Sequence, residues 1–550
     1  MLYPLSYGGR RPIGPWMTVA DFEPHPASEQ VMEDAERDRV WRRGLGHSSG
    51  KVLVGAQLAV RGLEAGCRVW ESRGTVSAMT HMHVAGSLHA DAVSVAPQWL
   101  VKPTDVNALD RNLWSDSTTR RESGELAIGG LSVNEIVAQT GSPVYVMDEV
   151  DFRGRALTWR RAFEGWHVYY ASKSFLCATV ARWIAEEGLS LDVSSMGELT
   201  VALRAGFDPA RMALHGNNKS EAELRLALTS GVGRIVVDSS DEIGRLERLT
   251  AELGVRAQVL IRVTTGVEAH THEYIATAHE DQKFGFSISS GSALVAMVRC
   301  YHSPQIDLVG IHSHIGSQIF DTNGFEVATR RTLKLLAQFR EATGVALPEL
   351  DLGGGFGIAY TSDDSPSTPY ELAKGLSEIV AHECRAFGMD VPTLSIEPGR
   401  AICGPAGTAV YTVGTTKTVE VGGGYNRRYI SVDGGMSDNI RPALYAAEYS
   451  AVLAGRSSTA RPVLSRVVGL HCEGGDILVR DTFLPDDVRP GDLIAVPASG
   501  AYSRSMASNY NHTPRPPVVS VKDGKVSTLV RRETLDDLLA LDAGIAEEDR

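Results

Sequence analysis

Between residues 140 and 400, short β-rich runs recur at a spacing that constrains the fold more than any other feature. They are His167–Tyr170, Leu189–Val193, Met212–His215, Arg234–Asp238, Gln258–Val263, Asp307–Ser313, Glu349–Leu352 and Thr393–Glu397, eight in all. Segments with helical periodicity separate them, such as Ser220–Leu228 and Phe325–Leu336. The early runs lie about 20 residues apart, enough for a strand, a helix and two short loops. Eight alternating βα units predict a closed parallel (β/α)8 barrel, with an open doubly wound sheet as the alternative.

The flanks read differently. Residues 1–110 are rich in Gly, Arg, His and Ser, and their apolar stretches keep no period, so they read as a disordered N-terminal extension. Met17, Met79 and Met82 are alternative starts within it. Residues 111–147 read as a lead-in that gives an early strand to a second domain, and 148–400 as the barrel. Over 401–540 the helical spacing thins. Val-, Thr- and Tyr-rich runs such as Thr408–Val413, Arg428–Val432 and Asp492–Val496 predict a C-terminal antiparallel β domain, followed by a tail over 541–550.

Composition narrows the partners. The 550 residues carry 54 Lys and Arg against 67 Asp and Glu, a net charge of −13, which argues against nucleic acid or an anionic membrane. The six cysteines are scattered with no CxxC, so neither a disulfide framework nor a zinc ribbon is expected, and a reducing cytoplasm fits. No apolar run approaches the ~18 residues of a membrane helix. The first ten residues lack the charged and apolar regions of a secretion signal.

Six of the eight runs end in residues suited to chemistry, and in a barrel the C-terminal strand ends face one another. Lys173 follows the first, where an amine can be desolvated to bond an aldehyde such as that of pyridoxal phosphate (PLP). Asp192 ends the second and His215-Gly-Asn-Asn-Lys219 the third. His312-Ser-His314-Ile-Gly316-Ser317-Gln318 ends the sixth, Gly353-Gly-Gly355 the seventh and Glu397-Pro-Gly399-Arg400 the eighth. The Gly-rich turn, with Gly316 and Ser317, offers donors to a phosphate. Glu397 could pair with a pyridine nitrogen, and His314 could stack on a ring face. Taken singly, the lysine has a plain reading as a solvated surface residue and the Gly-rich stretch as an ordinary turn. A metal cluster at His312, His314, His270 and His272 is not expected, because no carboxylate or cysteine completes an obvious ligand set.

The motifs YASK, HGNNKS, HTHEYIATAHEDQKFGF, HSHIGSQ, DLGGGFG, EPGR, DGGMSDNIRPALY, HCEGGD and GAYSRSMASNYN, in that order over 110–540, resemble the fold-type III PLP-dependent decarboxylases. Within these the chain resembles the diaminopimelate decarboxylase family of the actinobacterial kind. The resemblance implies an alanine racemase/ornithine decarboxylase-like pairing of barrel and β domain, and a homodimer with shared active sites. It also implies decarboxylation of meso-2,6-diaminopimelate to L-lysine and CO2. By motif, Lys173 would hold PLP, His314 would stack on it, and Asp192, Ser317, Gly355, Glu397, Gly399, Arg400 and Tyr502 would bind it. Arg400, Arg441, Tyr445 and Tyr502 would grip substrate. Cys472 would be the proton donor and Glu473 would take the distal amino group, both from the partner subunit. A substrate with two carboxylates and two ammonium groups suits arginines beside a glutamate.

The chain departs from the family where CESGD reads CEGGD, with Gly474 for serine, where YAAKA reads YASKS, and where TGGE reads Ser195-Met-Gly-Glu198. Three rivals stand beside this reading: a decarboxylase of ornithine or arginine, an alanine racemase, and a catalytically dead homologue that binds no PLP. Intact Lys173 and Cys472 oppose the last, and the HIGSQ and CEGGD motifs oppose the racemase.

Overall fold

The computed structural model describes residues 96–267, 283–421 and 425–545. Strand β1 (Val144–Asp148) leads into the barrel strands β2 (His167–Ala171), β3 (Ser190–Val193), β4 (Met212–Leu214), β5 (Arg234–Val237), β6 (Ala257–Thr264), β7 (Ile306–Ser313), β8 (Glu349–Asp351) and β9 (Thr393–Ile396). All eight fall within one or two residues of the runs read from the sequence. They pair in parallel in the order β6-β7-β8-β9-β2-β3-β4-β5, and the β5–β6 pairing closes the barrel.

Local signals set the helices between them. Asp148 caps α1 (Glu149–Ala162). In α2 (Glu221–Ser230), Ser220 and Glu223 form a capping box and Gly231, at φ 75°, ends the helix in the left-handed region. The long α3 (Asn323–Thr343) buries Phe325, Leu333, Leu336 and Phe339 on one face. α4 (Pro369–Ala386) starts from a second capping box at Thr368. At the N-terminal end of the barrel, Arg234 donates to Glu349 at 2.8 Å, a link that holds strands together away from the strand ends that carry the motifs.

From β9 the chain passes through α5 (Arg400–Ala406) into the C-terminal domain, with β10 (Gly407–Glu420), β11 (Asn426–Val432), β12 (Pro462–Val468), β13 (Ile477–Pro485), β14 (Leu493–Val496) and β15 (Val518–Lys522). Lead-in strand β1 lies in this sheet, between β10 and β15. Most pairings are antiparallel as expected, but β11–β12 and β1–β15 are parallel. The long connections between those partners allow the crossover that parallel pairing needs, and strand composition carries no sign of direction. One apolar core runs through the barrel into this domain, and a smaller one lies beneath Leu113, Trp114, Leu126 and Ile136.

Residues 1–95 of the expected extension lie outside the described residues. The expectation of disorder fails over its last residues: the Asn107 side-chain amide donates to the Ser458 carbonyl at 2.8 Å, and Leu109 packs on the smaller core. The tail over 541–550 is described only to residue 545.

Candidate active site

Lys173 sits in a single 3-10 turn, Ser172–Ser174, at the end of β2. Its neighbours Ser172 and Ser174 are buried, but Lys173 itself is exposed, contrary to the expected desolvation, because the turn presents it to an open cavity. That cavity, about 350 Å³, is also lined by His314, Ser317, Gly355, Glu397, Gly399, Arg400, Arg441, Tyr445 and Tyr502. A second lobe of about 270 Å³ shares Lys173, His314 and Glu397 and adds Asp192, His215, Arg262 and His312.

The glycines are there for close approach. A Cβ on Gly355, at φ 110°, would sit 2.5 Å from the Gly316 carbonyl oxygen, and one on Gly354 would sit 2.3 Å from that of Glu397. The three strand ends therefore touch backbone to backbone. A Cβ on Gly399 would likewise sit 2.8 Å from the Ala171 carbonyl oxygen, so the Glu397–Arg400 segment lies against the lysine turn.

Two arginines are pre-oriented. Arg400 is buried and donates to Tyr360 Oη at 2.6 Å and Ser317 Oγ at 2.7 Å, with its guanidinium 4.7 Å from the Tyr502 ring centre. Arg441 donates to Tyr449 Oη and stands 4.7 Å from the Tyr360 ring. Tyr502 belongs to the β domain, and its N–H donates to the Ser174 carbonyl at 2.9 Å, tying that domain to the lysine turn.

Glu397 lies among histidines. His312 Nε2 and His215 Nε2 are 2.9 and 3.4 Å from its Oε1, and His215 Nε2 is 3.2 Å from Asp192 Oδ1. Burial pushes both imidazoles down to about 4, so they are neutral at pH 7. Burial works against charge on Glu397 too, but His312, His215 and His314 together hold its carboxyl below the usual carboxylate range. Asp192 and Asp351 go the other way: burial, reinforced by Glu397, raises both well above that range. Glu397 is thus the carboxylate of this cluster that keeps its charge.

The trio His215, His312 and Glu397 also corrects the metal argument. Their ligand atoms lie within 4.8 Å of one another, so a carboxylate does join the histidines. Glu397 lies far along the chain from both, which hid the grouping. His270 and His272 lie outside the described residues.

PLP fits these residues. The glycine turn presents backbone without side chains to the cavity, and Ser317 and Arg400 line the same wall. Asp192 Oδ2 and Ser172 Oγ are buried with no hydrogen-bond partner among the described residues, as at a site awaiting a polar guest.

Cys472 and Glu473 are not brought to this cavity. Both are exposed, on the loop between β12 and β13, where Tyr510 Oη donates to Glu473. The loop is anchored beneath by the buried Asp476, which accepts from the backbone N–H of Met436 and His471. Gly474, which departs from the family pattern, is exposed on the same loop.

Sequence reasoning missed Arg262, at the end of β6, whose guanidinium lies 4.3 Å from the Phe284 ring centre, and Tyr360 and Tyr449, which hold the two arginines. Arg262 is the second-to-last residue of the Gln258–Val263 run, and that position near a strand end was the available signal.

Comparison with known proteins agrees with this geometry. Residues 149–404 match the family model of the pyridoxal-dependent decarboxylase, pyridoxal binding domain. A diaminopimelate decarboxylase of Mycobacterium leprae is 50% identical over 469 residues, covering 84% of this chain and 99% of the relative. One from Mycobacterium bovis is 53% identical over 439 residues, 78% of this chain and 98% of the relative. Among solved structures, diaminopimelate decarboxylase from M. jannaschii in co-complex with L-lysine is similar at a TM-score of 0.73 and 29% identity, over 80% of this chain and all of that one.

Proposed function

Because the chain belongs to the diaminopimelate decarboxylase family, we propose that it converts meso-2,6-diaminopimelate to L-lysine and CO2, the last step of lysine biosynthesis, with PLP as cofactor. The observation that carries this reading is the convergence of Lys173, Glu397, Arg400, Arg441 and Tyr445 on one cavity.

Lys173 would hold PLP through its amine. Ser317, Gly355, Gly399 and Arg400 would take its phosphate, His314 a ring face, and Glu397 the ring nitrogen, with Asp192 behind. When bound, the cofactor supplies a sink for the electron pair left as CO2 departs. The residues of the chain do the rest. Glu397 is suited to hold a proton on a ring nitrogen because its own carboxyl stays ionised. Arg441, fixed by Tyr449 and Tyr360, and Arg400 offer charged donors to substrate carboxylates, with Tyr445 and Tyr502 beside them. Cys472 is the proton donor to the α-carbon, and Glu473 takes the distal ammonium.

Cys472 and Glu473 would come from a second copy, giving a homodimer with shared sites. Their exposure on a loop away from their own chain's cavity supports this. A cytoplasmic location belongs to the same proposal and rests on the scattered, unpaired cysteines.

The test is to supply protein and PLP with meso-diaminopimelate and follow CO2 and L-lysine, running L-ornithine, L-arginine and a Lys173→Ala variant in parallel. Lysine formed from meso-diaminopimelate alone, and lost in the variant, is the expected result. Turnover of ornithine or arginine instead would replace the substrate, and no cofactor absorbance would sink the enzyme reading.

A further inference from the structure

A cavity separate from the one that holds Lys173 opens beside α1. It has a volume of about 520 Å³ and lies between α1, the segment around Asp116, and the stretch that follows β8. Its charged groups are few. Arg155 gives its Nε to the buried Asp151 at 2.6 Å, while its two Nη groups have no hydrogen-bond acceptor among the described residues. Asp116 stands at the rim with its carboxylate 92% exposed, 4.0 Å from Arg155 Nη2. Two carboxylates against one guanidinium leave one net negative charge. Apolar surface comes from Trp159, Ile358 and Pro405.

We infer that this cavity is a second ligand site, for a basic amino acid. The unspent Nη groups of Arg155 suit an α-carboxylate, Asp116 suits an ammonium group, and the apolar wall suits an aliphatic stem. The net negative charge selects a ligand of net charge +1 over a neutral or acidic amino acid.

Occupancy bears on Arg400 from two sides. Ile358 exchanges two hydrogen bonds with Gln318, at 3.1 and 2.9 Å, and Gln318 follows Ser317, an acceptor for Arg400. Tyr360, the other acceptor, lies two residues beyond Ile358. Ala401 and Pro405, on the helix that Arg400 begins, form part of the cavity wall. A ligand pressing on this wall shifts the support of the arginine that faces cofactor and substrate. This consequence for the reaction rests on the function proposed above, whereas binding does not.

Gly154 gives a clean test, because a Cβ there meets no atom within 4 Å and opens into the cavity. Calorimetric titration of the PLP-loaded enzyme with L-lysine should show two saturable events per chain, one at each cavity. Gly154→Leu should remove one of them and keep the decarboxylation rate measured without added lysine. Arg155→Gln should weaken that same event by about tenfold or more, and it decides the matter if the leucine variant does not fold. Neither L-leucine nor L-glutamate should fill the variant-sensitive site. Equal stoichiometry and affinity in parent and folded variants would overturn the inference. Absence of turnover in every sample would instead count against the proposed reaction and leave the binding result to stand.

Discussion

The wall that faces Lys173 and the loop that carries Cys472 are built in opposite ways. Around the lysine, Glu397, Arg400 and Arg441 are buried, and each is held by partners from other elements: His312 and His215, Ser317 and Tyr360, Tyr449. Cys472 and Glu473 are exposed, and neither lines the cavity. One chain thus preorganises the groups that would hold a cofactor and a carboxylate, where electrostatic preorganisation matters most. It leaves Cys472, the proposed proton donor, on its surface, open to a second copy. The two halves of the chemistry have different structural requirements.

The comparison is most directly broken at its fixed end. Lys173→Ala should abolish the absorbance of covalently held PLP and lower CO2 release by about three orders of magnitude or more. A variant that keeps both would remove the lysine from the reaction. At the exposed end, Cys472→Ala should cost about 10²- to 10⁴-fold in turnover while PLP absorbance stays. Mixing these two inactive proteins sharpens the contrast. If sites are shared, random re-pairing restores about a quarter of the sites, and no recovery after subunit exchange would place Cys472 in its own chain's site.

A smaller effect is expected where a carboxylate loses its donor. Arg441→Met should raise KM by about tenfold to a hundredfold, read from initial rates, and an unchanged KM would free Arg441 of that role.

The smallest effect concerns pH. His312 is pushed down to about 4 from 6.5 by burial, so the unfolded chain takes up its proton first as the pH falls. The stability it contributes is complete above pH 6.5 and is lost between there and 4. The urea midpoint of His312→Gln should therefore fall less than that of the parent between pH 7 and 5. Parallel curves would mean that His312 is not buried neutral.

The strand ends were legible because hydrophobic period and turn residues are local signals. Lys173, His314, Gly355, Glu397 and Arg400 each terminate or follow a run, and a barrel brings such ends together whatever the loops do. Tyr360 and Tyr449 left no mark, since a tyrosine that holds an arginine looks like any core aromatic. The exposure of Lys173 was misjudged for a related reason. An apolar strand before a residue says where the backbone is buried, and the width of the cavity beyond it depends on every other strand.

By itself, the order of β-rich runs and capped helical segments determined a parallel barrel with a β domain after it, and which residues stand at the strand ends. Only the tertiary structure decided that Glu397 meets His215 and His312, that β1 and β15 pair in parallel, and that Cys472 lies apart from the lysine. The reason is physical: period, capping and glycine turns act over a few residues, whereas charge pairing, burial and cavity shape arise between segments distant in the chain.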